Sequence, residues 1–455
     1  MTPLHTSWAR LSRERSEAPP GFSRWLVPPA ALAVHLSIGQ VYAFSVFKLP
    51  LVERFGTSET AIAVVFSIAI VMLGLSAAFG GTWMERNGPR RAMVVAALCW
   101  SSGFAVAAAG VALGALWLVY LGYGVLGGIG LGIGYISPVS TLIKWFPDRP
   151  GLATGMAIMG FGGGALLAAP VSRILLDVYA ARGWDDIVAS FLTLGVGYLV
   201  LMLVGATIIR VPPPGWTPPT RPGRPVPATT AAGADDGYTA AQALRMRQFW
   251  LLWVVLFCNV SAGIGILEQA APMVQDFFAD VTPEAAAGYV GVLAAANMAG
   301  RFGWSSLSDW LGRRRSYVIY LGVGALAFLV TATVGQTSLP LFVVATFVAI
   351  SFYGGGFATV PAYLKDLFGT RQVGAVHGRL LTAWSAAGVA GPLIVNLLTD
   401  AQRRAGVTGA AAYRPSLLLM VGLLVVGLLA NLAVRPTPPV PAPTGPTPKA
   451  AQLVP

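Results

Sequence analysis

One arginine stands alone in a long apolar stretch of the chain. Arg301 follows sixteen residues without charge, from Ala285 to Gly300, and the next charged residue is Asp309. A guanidinium stays protonated at physiological pH, so it cannot enter a membrane as a neutral group. Holding it near the bilayer centre costs roughly 2.5 to 3.5 kcal/mol on insertion scales. A residue of this kind is typical of a functional site, and the ligand that it favours is an anion.

The composition defines the class of protein in which this arginine lies. The chain has 455 residues, of which 55% are hydrophobic and only 11% charged, whereas soluble proteins carry about a quarter charged residues. This balance predicts an all-α membrane protein with many spans. The net charge of +12 does not indicate nucleic-acid binding, because the basic residues stand in short loops between apolar runs. Cys99 and Cys258 lie inside apolar runs and give no metal-ligand spacing, so no metal and no cofactor are expected.

Twelve apolar runs are each long enough to cross about 30 Å of hydrocarbon as a helix. They cover residues 25–47, 58–83, 91–112, 115–143, 151–176, 187–210, 248–275, 284–307, 316–335, 339–364, 373–398 and 413–434. With both termini cytoplasmic, most of the Lys and Arg residues fall on the cytoplasmic side, so the positive-inside rule predicts this orientation in the cell membrane. The stretch 1–24 contains no apolar segment of a cleavable signal peptide.

A proline-rich stretch divides the predicted helices into two sets of six. Residues 212–247 are rich in Pro, Thr and Gly, a composition that does not form a core and predicts a cytoplasmic linker. The expected organisation is a cytoplasmic tail (1–24), a six-helix bundle (25–211), this linker, a second six-helix bundle (248–435) and a Pro-rich cytoplasmic tail (436–455).

Two loop motifs occur once in each half. GTWMERNGPRR (81–91) follows the second helix and SSLSDWLGRRR (305–315) follows the eighth, with Glu85 and Asp309 at the same place in the motif. KWFPDRPGLATG and KDLFGTRQVGAVHG follow the fourth and tenth helices and begin at Lys144 and Lys365. The offset from Glu85 to Asp309 is nearly the same as that from Lys144 to Lys365, which indicates an internal duplication. Duplicated membrane bundles favour alternating access, with a binding site between the halves near the middle of the membrane.

The first of these loop motifs resembles the signature of the major facilitator superfamily, G-x-x-x-D-R-x-G-R-R. The resemblance implies the major facilitator fold, with twelve transmembrane helices in two pseudo-symmetric halves. A carboxylate at a helix end can pair with loop arginines and hold neighbouring helices in one conformation. We therefore predict a conformational latch formed by Glu85, Arg86, Arg90, Asp309 and Arg313.

A closer resemblance covers most of the membrane region. GQVYAFSVF (39–47), GLGIGYISPVSTLIKWFPDRPGLATGMAIMGFGGGA (130–165) and NMAGRFGWSSLSDWLGRR (297–314) are similar to the oxalate/formate antiporter family, which includes bacterial monocarboxylate carriers. In that family an arginine of helix 8 binds the substrate carboxylate, a role that falls on Arg301. Asn297, one turn earlier on the same face, is expected to share this carboxylate. The resemblance also implies a cavity lined by aromatic residues, namely Tyr42, Tyr135, Phe161, Tyr353, Phe357 and Trp384.

Helix 11 differs from the oxalate carriers of this family. Those carriers use a second cation, a lysine one turn beyond a tryptophan, whereas Ala387 stands three residues after Trp384. A single central cation balances one carboxylate, so the resemblance favours a secondary transporter of small monocarboxylates such as lactate or pyruvate. An oxalate/formate exchanger is the alternative within carriers, and a carboxylate sensor that does not transport is the alternative from another class.

Proton coupling is expected, and two residues are candidates for it. Related eukaryotic monocarboxylate carriers have an aspartate where this chain has Asn297. Glu268 in helix 7 and His35 in helix 1 are the candidates, since histidine titrates near neutrality. The sequence has three histidines and no cluster of His, Asp and Glu, so no enzyme activity is expected. The expected partners are a small organic anion, protons and the lipid bilayer, with the chain functional as a monomer.

Overall fold

The computed structural model describes residues 11–218 and 237–438; the parts of the predicted tails and linker at 1–10, 219–236 and 439–455 lie outside the described residues. Within the described ranges the chain forms twelve long helices and no strand of a sheet. The first, α1, has three segments: Val27–Ile38, a 3₁₀ turn Gly39–Ala43, and Ser45–Phe55. The others are α2 Glu59–Asn87, α3 Pro89–Ala112, α4 Leu116–Trp145, α5 Pro150–Ala181, α6 Asp186–Ile208, α7 Arg247–Phe277, α8 Pro283–Leu311, α9 Arg313–Thr333, α10 Leu339–Phe368, α11 Val373–Arg404 and α12 Ala410–Ala433. The predicted all-α fold with twelve helices is confirmed.

The helices have the length and composition of membrane spans. Eleven of those described are long and apolar enough to cross a bilayer. The remaining one is α8, which has 29 residues and carries a buried polar face that lowers its hydropathy. Large apolar side chains face outward around the bundle; Phe79 and Leu429, for example, are 79% and 62% exposed. Such a surface is stable in lipid rather than in water, and the protein is a multi-span membrane protein.

Glycines allow the helices of the first half to approach closely. The 3₁₀ turn of α1 places Gly39 against α5, where an added Cβ would lie 3.0 Å from the Gly164 Cα. In α4 the stretch Tyr120–Gly127 is a π-helix. A Cβ at Gly122 in that stretch would lie 2.7 Å from the Gly103 carbonyl oxygen of α3. These irregular turns therefore bring backbones into contact, which larger side chains would prevent.

The two sets of six helices pack on each other through equivalent pairs. Across the interface, α2 packs on α11 and α5 packs on α8, while α4 and α5 also contact α10. In each of the two main pairs, a helix that ends in the repeated acidic loop motif packs on a helix that begins within the repeated Lys motif. The duplication predicted from the two sequence offsets is thus visible as a pseudo-symmetric interface between the halves.

Both described ends of the chain and the described parts of the linker, 212–218 and 237–247, meet at one end of the bundle. The Val211 N–H donates to the Ser16 carbonyl at 2.8 Å, and the Thr437 hydroxyl donates to the Leu367 carbonyl at 2.5 Å. The second part of the predicted linker forms a short helix, Ala240–Leu244, which begins with a capping box. We call this end of the bundle, which also carries the repeated loop motifs, the linker end.

Candidate functional site

Helix α8 places Arg301 at the interface between the halves. The buried side chains of α8 include Leu293, Asn297, Arg301 and Ser305, each four residues after the last, so they share one face. Arg301 is fully buried. On the facing helix α5, a Cβ added at Gly162 would lie 2.8 Å from the Arg301 Nε atom. Only glycine at this position leaves room for the guanidinium in its present place.

The guanidinium of Arg301 is incompletely bonded. Its Nε donates to Asn297 Oδ1 at 3.1 Å, and its Nη1 donates to the Ile158 carbonyl at 3.3 Å. Its Nη2 atom is buried and has no hydrogen-bond partner among the described residues. No carboxylate in residues 11–218 or 237–438 forms an ion pair with it. The centre of the bundle therefore holds a net positive charge with one donor free, which is the arrangement that binds an anion.

Aromatic rings surround this charge. The guanidinium carbon lies 4.9 Å from the ring centroid of Phe357 and 5.7 Å from that of Phe161, within range of cation–π attraction. The Phe161 ring in turn contacts Tyr135 at 5.3 Å and Tyr42 at 5.1 Å, and the Phe357 ring contacts Trp384 at 5.8 Å. The aromatic residues predicted for the cavity are thus brought together from α1, α4, α5, α10 and α11.

Several polar atoms of this aromatic shell are buried without a partner. The hydroxyl groups of Tyr42 and Tyr135 and the indole nitrogen of Trp384 have no hydrogen-bond partner within the described part of the chain. The Arg301 guanidinium and Tyr353, the remaining predicted wall residue, both lie close to the Tyr42 hydroxyl. Buried polar groups are nearly always paired, so a cluster of unpaired ones beside an unpaired cation indicates a site for a polar ligand.

The two residues predicted for proton coupling lie outside this shell. Glu268 is exposed on α7 and interacts with Lys48 of α1, nearer to the end opposite the linker end. His35 is buried behind Tyr135, with its Nδ1 2.6 Å from the Ala157 carbonyl oxygen and its Nε2 3.1 Å from the Tyr135 carbonyl oxygen. His35 therefore joins α1 to α4 and α5.

A second buried histidine, His377, was not among the residues predicted from the sequence. His377 is 1% exposed on α11, and its ring centroid lies 5.7 Å from that of Tyr135. His377 lies within the predicted helix 373–398, and the structure likewise begins α11 at Val373, but this stretch was interpreted only as part of the repeated Lys motif. The spacing of seven residues between His377 and Trp384 puts both on one face of a helix, and this signal was available in the sequence.

In the first half, the predicted latch carboxylate lies at the linker end and bonds across the interface. Glu85 forms an ion pair with Lys144 of α4 at 2.6 Å and accepts from the Ser140 hydroxyl at 2.9 Å. It also accepts from the Gly374 N–H of α11 at 3.0 Å. A carboxylate at a helix N-terminus satisfies a free N–H group and the helix dipole.

Asp309 occupies the equivalent place in the second half. Its two oxygens accept from the N–H groups of Gly151 and Leu152 of α5, at 2.8 and 2.9 Å. Arg313 donates to Asp309 at 2.5 Å and to Asp366 at 2.9 Å. Each half thus caps a helix of the other half, and the linker end of the protein is closed.

Two residues of the predicted latch lie elsewhere. Arg86 is exposed, and Arg90 donates to the Ala206 carbonyl of α6 at 3.2 Å, inside its own half. The expected pairing of Glu85 with loop arginines is therefore corrected, because Lys144 of α4 reaches this carboxylate from the repeated Lys motif.

Comparisons with known proteins agree with this architecture. The sequence matches the Major Facilitator Superfamily over residues 30–356 and 280–455. It is 25% identical over 374 residues to the oxalate:formate antiporter of Oxalobacter formigenes, covering 81% of this chain and 83% of that protein. It is 27% identical over 419 residues to monocarboxylate transporter 11 of Homo sapiens, covering 90% of this chain and 84% of that protein. A solved structure of the transporter FucP in the outward conformation has the same fold, with a TM-score of 0.66, 14% identity, and coverage of 89% of this chain and 98% of that one.

The fold and the central cation define a multi-span membrane carrier built from two six-helix halves. The chain belongs to the Major Facilitator Superfamily, and it is similar to its oxalate/formate antiporter and monocarboxylate transporter members. The superfamily consists of transporters rather than enzymes, in agreement with the expectation from the sequence.

Proposed function

We propose that the protein is a secondary active transporter of small monocarboxylates, such as L-lactate and pyruvate, that works by alternating access. The observation that carries this proposal is the buried guanidinium of Arg301, which has a free Nη2 donor and no ion-pair partner among the described residues. A carboxylate bound there would supply the missing charge and accept from Nη2. Asn297 holds the Nε side of the guanidinium at 3.1 Å and so fixes its direction.

The aromatic shell supports a small substrate with one charged end. Phe161, Phe357 and Trp384 offer apolar faces, while the free hydroxyl groups of Tyr42 and Tyr135 can bond a hydroxyl or keto oxygen. Lactate and pyruvate carry such an oxygen beside the carboxylate. The name of the human relative, a monocarboxylate transporter, supports the same class of substrate.

An oxalate/formate exchanger is the second candidate, and the oxalate:formate antiporter among the relatives favours it. Oxalate brings two negative charges. Within the described residues, the other buried cation is Arg313, which already binds two aspartates at the linker end. Ala387 is buried one turn beyond Trp384 and offers no charge. The charge of the centre therefore fits a monocarboxylate better than a dicarboxylate.

The distribution of charge suggests how the carrier is oriented and coupled. The basic loops at the linker end predict that this end and both termini face the cytoplasm of a cell with the carrier in its plasma membrane. Import of a monocarboxylate against its gradient requires a coupled ion, and we infer that this ion is a proton. Each chain holds both halves of the site, so a monomer is the expected functional unit.

The experiment that tests the proposal measures uptake of labelled L-lactate into proteoliposomes that contain the purified protein. An inward proton gradient is applied or omitted, and unlabelled pyruvate or oxalate is added as competitor. Uptake that pyruvate blocks and oxalate does not supports the one-cation site. Exchange of labelled oxalate without L-lactate uptake would favour the exchanger, and binding of L-lactate without any flux would favour a sensor.

A further inference from the structure

His377 lies between the central cation and the closure of the linker end. His377 lies three residues after Gly374, whose N–H donates to Glu85, and seven residues before Trp384. The latter spacing corresponds to roughly 10 Å along the helix axis. Because α11 begins at the linker end, His377 occupies the part of the interface that separates the aromatic shell from that end.

The imidazole of His377 has no protein partner for either nitrogen. Both Nδ1 and Nε2 are buried and unbonded within residues 11–218 and 237–438. A neutral imidazole has one donor and one acceptor, and burying both without partners is unfavourable. His35 differs from His377 because both of its ring nitrogens lie within hydrogen-bond distance of carbonyl oxygens. A neutral imidazole can donate to one of these two carbonyl oxygens, so His35 is held by the protein, whereas neither nitrogen of His377 is bonded within the described residues.

The groups around His377 offer it no negative charge. Tyr135 of α4 faces the ring at 5.7 Å, with its hydroxyl unbonded, and His35 of α1 is within electrostatic range. On α11 itself, Arg379 donates to the Ala375 carbonyl and to the Thr82 hydroxyl of α2.

The carboxylate that meets the start of α11, Glu85 of α2, is already engaged. Glu85 bonds to the Gly374 N–H and pairs with Lys144. No carboxylate pairs with His377 in the described part of the chain. A proton on its imidazole would therefore add a second uncompensated positive charge to an interface that already holds Arg301.

We propose that His377 is the proton-binding residue of the carrier and couples the proton to the substrate anion. The inference rests on the proposed function. A second positive charge is unfavourable in the empty centre, which already holds Arg301, and less unfavourable once the substrate carboxylate has neutralised the guanidinium, so the proton and the anion bind cooperatively. The proton passes from water to the free ring nitrogen. It leaves to water when the Gly374 N–H separates from Glu85 and the linker end opens.

The test separates coupled from uncoupled transport in proteoliposomes. Labelled L-lactate is used in two assays: exchange against internal L-lactate at equal pH, and accumulation driven by an inward proton gradient, with a pH-sensitive dye to record proton flux. For His377→Gln, we expect the ratio of gradient-driven accumulation to exchange to fall at least tenfold, with loss of the L-lactate-dependent proton flux. Thr399→Val, on the same helix and also with a buried, unbonded side-chain oxygen, is the matched control and keeps the wild-type ratio.

Three outcomes are distinguishable. If His377→Gln lowers the rates of L-lactate exchange and of gradient-driven accumulation by the same factor, His377 is not the coupling residue. The same conclusion follows if the variant accumulates L-lactate in response to the gradient as the wild type does. A fall of the ratio in His35→Gln instead would assign coupling to the bonded histidine and overturn the inference. If the wild-type protein neither exchanges nor accumulates L-lactate, the proposed function itself fails.

Discussion

Two buried arginines, one at the centre and one at the linker end, have opposite surroundings. Arg301 is fully buried and has no ion-pair partner among the described residues, while Arg313 is 8% exposed and binds both Asp309 and Asp366. The same side chain at similar burial is thus electrostatically complete in one region and incomplete in the other. A complete buried network holds helices together, whereas an incomplete one is a site for a charge that comes from outside.

The contrast extends to the neighbours of each arginine. Around Arg301, Tyr42, Tyr135 and Trp384 have buried polar atoms without partners in the described ranges. At the linker end, Glu85 accepts from Ser140 and Lys144, and it also accepts a backbone N–H of the other half. In the proposed alternating access, the linker end must open and the centre must be filled and emptied. The bonds at the linker end are therefore the ones that must break in each cycle.

The largest expected effect separates these two arginines. Arg301→Ala should lower L-lactate uptake by about 100-fold, because truncating one partner of a buried charge pair costs about 3 kcal/mol or more. Its melting temperature in detergent should stay equal or rise, since an uncompensated buried charge is removed. Arg313→Ala should lower the melting temperature by leaving the Asp309 carboxylate without its cation. Labelled L-lactate uptake and the melting temperature in detergent are measured for both variants.

A loss of stability in Arg301→Ala as large as that in Arg313→Ala would contradict this division.

The variant Arg301→Lys tests whether the positive charge alone is enough for uptake. A lysine keeps the charge but loses the planar fork that reaches Asn297, the Ile158 carbonyl and the ligand together. We expect uptake by this variant to stay closer to that of Arg301→Ala than to the wild type.

A smaller effect is expected from the helix caps at the linker end. Asp309→Asn or Glu85→Gln weakens a cap between the halves, and losing a cap costs about 0.5–2 kcal/mol. The population open at the linker end should rise by roughly 2- to 30-fold. Distances between spin labels at the exposed residues Arg86 and Arg315, in a background without Cys99 and Cys258, measure this population. Asp177→Asn, whose carboxylate is exposed and pairs only with Arg173 among the described residues, is the control.

Sequence patterns predicted the fold because burial in lipid leaves a strong signal. Each helix needs about 20 apolar residues, and the repeated loops at Glu85 and Asp309 exposed the duplication. The offset that joins these two carboxylates also joins Gly88 to Gly312, which have φ angles of 91° and 82° and end α2 and α8. Side chains rarely adopt this conformation, so the glycine of each motif has a structural reason.

Spacing along one helix predicted which residues share a face, and the family resemblance predicted the aromatic residues of other helices, whereas individual contacts between residues distant in sequence were missed. Asn297 and Arg301 are one turn apart, and their spacing gave their shared face. Lys144 reaches Glu85 over 59 residues, and no local pattern reports such a contact. His377 was missed because a polar loop motif and the start of a buried helix share one stretch of sequence, and only packing on Tyr135 shows that the residue is buried.

A steric change at the centre should have a moderate effect. Gly162→Ala adds a Cβ at 2.8 Å from Arg301 Nε, so the guanidinium must move away from its present place. Overpacking of this kind costs typically about 1–3 kcal/mol, and we expect the KM for L-lactate to rise about tenfold. Gly197→Ala on α6 is the matched control, because nothing lies within 4 Å of its added Cβ. Equal kinetics for the two variants would show that the position of the guanidinium does not limit binding.

The smallest expected effect tests whether the aromatic shell contributes through its rings or only through its shape. Phe357 lies nearer to the guanidinium carbon than Phe161 does, at 4.9 against 5.7 Å. A buried cation–π contact contributes about 1 kcal/mol; because this contact is lost mainly from the empty carrier, Phe357→Leu should lower the KM by up to about fivefold and Phe161→Leu by less. Because the bound carboxylate partly neutralises the cation, the rings matter more in the empty carrier than in the loaded one. Phe357→Leu should then destabilise the substrate-free protein more than the protein saturated with L-lactate, and thermal unfolding with and without L-lactate measures that difference.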